Sequence, residues 1–78
     1  MRVQVQERPD AETIICKVSW DQPSTKNTMR LLVHVPATLD EFSAEDGSEV
    51  VPAAIRSMAL LRARDMADAF SNLVNERL

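Results

Sequence analysis

A single cysteine, a single glycine, a single histidine and no tyrosine leave this 78-residue chain with few of the side chains that carry chemistry. Because Cys16 has no second thiol to pair with, no intrachain disulfide can stiffen the fold, which fits a reducing compartment. Gly47 alone cannot supply the run of backbone amides that cradles a phosphate in the familiar Gly-rich loops. His34 by itself makes neither a metal site nor an acid–base pair, and no Cys–His spacing or calcium-loop pattern accompanies it. The expectation is a protein with no catalytic residue, no metal and no cofactor. No apolar run reaches the roughly 18 residues of a membrane span. Met1 opens onto a polar alternating stretch where a signal peptide would place a basic region and an apolar run, so the expected location is the cytoplasm, without membrane association.

What is present is a clear change of period. At 45 % apolar and this length, the chain is expected to form a single domain over residues 1–78 with a small core. Residues 2–8 alternate, with Val3 and Val5 on one face and Arg2, Gln4, Gln6 and Arg8 on the other, as in a half-buried strand. Pro9-Asp10-Ala11 reads as a turn. Alternation returns from Glu12 to Trp20, with Ile14, Cys16, Val18 and Trp20 on one side, and again from Thr28 to Val35, with Met29, Leu31, Val33 and Val35 together. The connections are too short for parallel crossovers, so residues 1–36 are predicted to form a three-stranded antiparallel meander. Cys16 is expected in its core and His34 on the opposite face.

Thr38 followed by Glu41 is a capping-box pattern, predicting a short connector helix that ends near Gly47, with Ser48 as the next candidate cap. Pro52 is tolerated only in a first helical turn, so a long helix should begin between Ser48 and Ala53 and run to the Ala-, Leu-, Met- and Arg-rich end of the sequence. Val51, Ile55, Ala59, Met66, Ala69, Phe70 and Leu73 fall on one stripe, and Leu60, Leu61 and Leu78 fall outside it. Arg62 lies within the stripe, where it should either extend to the edge or pair with a carboxylate, and Asp65 is in reach. The expected fold is therefore α+β: three antiparallel strands, a connector helix, and a C-terminal helix packed on one sheet face.

That helix is about 40 Å long, against about 25 Å for strands of seven or eight residues. One end must overhang, or else the helix must break near Arg64-Asp65 and fold back. If it is continuous, Phe70, Leu73, Val74 and Leu78 form an uncovered apolar patch, best covered by a second copy of the chain.

The net charge of −3 is concentrated in the connector, residues 37–49, where Asp40, Glu41, Glu45, Asp46 and Glu49 occur with no Lys or Arg. Solvated carboxylates near a helix start account for such a cluster without any function. Its functional counterpart is a docking surface for a basic protein site, as in small acidic inhibitors or adaptors of phage and mobile elements. The expected function is thus non-catalytic protein binding by a homodimer. The alternative is a nucleic-acid-binding domain using Arg2, Arg8, Lys17, Arg30 and His34 on the outer sheet face. A third class is an enzyme subunit whose site is completed by another chain.

Overall fold

A computed structural model of the chain describes residues 1–36 and 51–78. The described elements are β1 (Arg2–Glu7), β2 (Thr13–Asp21), β3 (Thr28–Pro36) and α1 (Ala53–Arg77). The strands form one antiparallel sheet in the order β1-β2-β3, and α1 packs on one face of it. The α+β meander expected from the alternation is present. The predicted connector helix, its Thr38–Glu41 capping box and the five acidic residues Asp40, Glu41, Glu45, Asp46 and Glu49 lie outside the described residues.

The register aligns the inward rows across the strands. Val3 pairs with Val18 and Val18 with Leu31, Val5 with Cys16 and Cys16 with Val33, and Ile14 with Val35. Ile55, Ala59 and Ala63 of α1 close over these rows to complete the core, and Val5, Leu31, Val51 and Leu60 are half-buried against it. Two of the three helical residues in this core are alanines, which let the helix backbone come close to the β-branched surface of the sheet. No described side-chain polar atom is buried without a hydrogen-bond partner.

The first turn is held by a side chain and the second by backbone hydrogen bonds, with no glycine in either. In the β1–β2 connection the Glu12 amide donates to Asp10 Oδ1 at 2.8 Å, an Asx turn. In the β2–β3 connection the Gln22 amide donates to the Asn27 carbonyl at 2.8 Å and the Lys26 amide to the Gln22 carbonyl at 3.0 Å. Closing that loop places Lys26 at φ 62°, the left-handed region that a side chain with a Cβ occupies at a cost of about 1 kcal/mol.

Three sequence expectations are corrected. First, a β-bulge between Val5 and Glu7 brings Glu7 opposite Ile15, so strict alternation fails at the end of β1. Glu7 takes the outward position there, and Arg8 lies past the strand rather than in the outward row. Second, the sheet-facing stripe of α1 is continued by Ala63 and half-buried Ala67, Met66 and Ala69 are exposed, and Leu60 joins the packing, while Phe70 and Leu73 are exposed as the overhang of a continuous helix predicts. Third, Arg62 reaches solvent, one of its two expected outcomes, and Asp65 meets Arg64 instead of Arg62, at 3.7 Å on the surface. The helix begins at Ala53 with Pro52 as its N-cap, within the expected window, and the candidate cap Ser48 lies outside the described residues. The Pro52 carbonyl accepts the Arg56 amide at 2.9 Å, and no side chain caps the N-terminus.

Candidate functional site

α1 is unbroken from Ala53 to Arg77, 25 residues or about 37 Å, which removes the fold-back alternative. Its buried positions end at Ala63, and every residue from Asp68 onward is exposed. Phe70, Leu73 and Val74 are on the same side of the helix as Ile55, Ala59 and Ala63, because steps of three and four residues return to one face. They are uncovered because the sheet stops beneath them. Phe70 is 63 % exposed, Leu73 49 %, Val74 37 % and Leu78 96 %. The C-terminus is held in helical geometry to its end: the Leu78 amide donates to the Val74 carbonyl at 3.1 Å, and Arg77 Nη1 donates to the Leu73 carbonyl at 3.1 Å, where a cation also suits the helix dipole.

At the root of this overhang lies an apolar groove of about 390 Å³ between the helix and the open end of the sheet. Trp20 and Met29, paired across β2 and β3, form its floor with Leu31, and Leu60 and Ala67 form its helical wall. Trp20 and Met29 belong to the inward rows but remain 42 % exposed. Ala67, which lines the groove, stands about one helical turn before Phe70, where the exposed tail of α1 begins. The sequence identified the tail; it missed the groove, because Trp20 and Met29 look like ordinary core positions until the helix is placed.

The other face of the sheet is polar. Arg2 pairs with Ser19 and Ser19 with Arg30, so the two arginines flank one residue of the central strand, and in the next row Gln4 pairs with Lys17 and Lys17 with Leu32. Arg2, Lys17 and Arg30 thereby line one shallow depression of about 370 Å³, together with Gln4 and Ser19. His34, opposite Ile15, is exposed on the same face but outside this depression, and Arg8 is not in it either.

Cys16 is fully buried under α1, and the cost of taking a thiolate out of water pushes its pKa above the ordinary 9.0. It packs as a small hydrophobe. Among the described residues no group of three His, Cys, Asp or Glu side chains is placed to hold a metal, and no helix is long and apolar enough to cross a membrane. No family model, curated protein or solved structure matches this chain.

Proposed function

We propose that this chain is a small non-catalytic protein-binding module that acts as a homodimer through the C-terminal half of α1, and that it offers its acidic segment to a basic site on another protein as an inhibitor or adaptor in the cytoplasm. The observation that carries this reading is the overhang of an unbroken helix whose exposed apolar face begins near an apolar groove. The two surfaces suit each other. In an antiparallel pairing with a two-fold axis near Phe70, Leu73 and Val74 of one copy come level with the partner's Met66 and Ala67, at the mouth of the groove, and the same contact is made in reverse.

The area is adequate. Trp20, Met29, Met66, Phe70, Leu73, Val74 and Leu78, at roughly 100 Å² of accessible surface each, offer about 700 Å² per chain, close to the roughly 800 Å² per partner of a standard interface. The partner-facing role of Asp40, Glu41, Glu45, Asp46 and Glu49 rests on their charge alone, five carboxylates with no interspersed cation.

Sedimentation equilibrium tests the dimer. The wild-type chain is expected to associate in the micromolar range, and Phe70→Glu with Leu73→Glu to remain monomeric with an unchanged circular dichroism spectrum. A wild-type chain that is monomeric at high micromolar concentration overturns the reading. For the acidic segment, neutralising Asp40, Glu41, Glu45 and Asp46 to Asn or Gln is expected to abolish capture of a basic partner from the native host, and undiminished capture removes that part of the proposal.

A further inference from the structure

Each strand of the sheet contributes one cation to a single outward cluster. Adjacent strands lie about 4.8 Å apart, so the Arg2 and Arg30 backbones stand about 10 Å apart across Ser19, with Lys17 about 7 Å further along the central strand. Among the described residues none of the three has a carboxylate within 4 Å, in contrast to Arg64, which meets Asp65 at 3.7 Å. Asp21, at the rim of the depression, instead accepts a hydrogen bond from the Thr28 hydroxyl at 3.0 Å. The described residues carry nine basic and seven acidic side chains, a balance of +2, so the overall acidity of the chain resides in residues 37–50.

We infer that this outer sheet face binds the phosphate backbone of duplex nucleic acid, with Arg2, Lys17 and Arg30 each engaging a phosphate oxygen and Gln4 and Ser19 adding neutral donors. Three cations that converge with no ion-pair partner among the described residues, beside the single carboxylate of Asp21, are stabilised by an anionic ligand, and the arginine fork matches a phosphate in geometry as well as charge. Two features select the ligand. The cations line a shallow, solvent-open depression, where one screened phosphate is held weakly and only a polymer presenting several phosphates at once gains useful affinity. Trp20 at one end of the depression is the single aromatic ring that lines it, and the outward rows carry no Trp, Tyr or Phe, so a run of unpaired bases has no series of rings to stack on, which favours a duplex over a single strand. This inference uses the surface opposite the dimer contact and stands independently of it.

Fluorescence anisotropy with a labelled DNA duplex of about two helical turns tests it. Three phosphate contacts predict a log–log salt slope near −2.7, so that affinity declines roughly 40-fold between about 50 and 200 mM salt. Arg2→Gln, Lys17→Gln and Arg30→Gln should each make the slope shallower by about 0.9, while Lys17→Arg and, on the helix surface, Arg62→Gln leave it unchanged. Circular dichroism melts of the same variants confirm that each is folded. Absence of duplex binding at low salt overturns the inference, as does a slope indifferent to the three substitutions. Saturation by inorganic phosphate without duplex binding, or tighter binding to a single strand than to the duplex, also overturns it. The Phe70→Glu/Leu73→Glu variant retains the three substitution effects if the face acts as inferred, even where the dimer proposal fails.

Discussion

The two halves of α1 are built from similar residues and differ in what lies beneath them. Ile55, Ala59 and Ala63 are sealed against β-branched side chains of the sheet, whereas Phe70, Leu73 and Val74, larger on average and on the same side of the helix, face solvent. Ala63 is 7 % exposed and Phe70, two turns further on, is 63 % exposed. Burial along this helix follows the reach of the sheet rather than the hydrophobicity of the residue. The seated half explains how so small a domain holds together, and the overhanging half supplies the surface from which its association is proposed.

The sharpest way to break that contrast is to truncate each half in turn. Ile55→Ala, at a position 2 % exposed, is expected to cost about 2–5 kcal/mol, much of the stability of a domain this size, while Leu73→Ala in dilute solution changes it by less than about 0.5 kcal/mol. Urea denaturation of both variants checks this, and equal losses would mean that the tail packs as tightly as the core. Enlargement is the next test. Ala59 is wholly buried, so Ala59→Leu should cost about 1–3 kcal/mol through overpacking, and Ala69→Leu, on the exposed half, should be near neutral.

A third test uses the thiol beneath the seated half. Because burial raises the Cys16 pKa in the folded state, the unfolded chain ionises first as pH rises. The stability contribution is complete below the unfolded value near 9 and declines above it, by at most about 1.4 kcal/mol per pH unit, until the folded pKa is passed. Urea midpoints at pH 8 and above 9 should therefore diverge for the wild type more than for Cys16→Ala, and identical pH profiles for the two would show that water reaches the thiol. The smallest effect belongs to the tail. If it pairs with a second copy, thermal stability rises with protein concentration, by about 1 kcal/mol per tenfold at most, and Phe70→Glu makes it concentration-independent.

Much of the fold was legible from local pattern. The inward sets Ile14, Cys16 and Val18 on β2 and Leu31, Val33 and Val35 on β3 follow from period two, and Pro52 marked the start of the helix because its ring is excluded from a helical interior. Arg2, Lys17, Arg30 and His34 were assigned correctly to the outward face by the same alternation. Arg8 was not, because the bulge between Val5 and Glu7 breaks the alternation and the strand ends at Glu7, and neighbouring residues gave no sign of either. Ala63 escaped notice for a different reason: set between Arg62 and Arg64, a single methyl group carries little hydropathic signal, yet close approach to the sheet favours that small size.

Sequence alone determined the strand pattern, the helical character of the C-terminal segment and the confinement of acidity to one segment, since alternation, helix propensity and charge are properties of neighbouring residues. Tertiary structure alone decided which residues of that helix are covered, which of the outward cations stand together, and that Trp20 and Met29 line an open groove. Those outcomes depend on where the sheet ends under the helix and how three strands register, distances between parts far apart in the chain that no local pattern encodes.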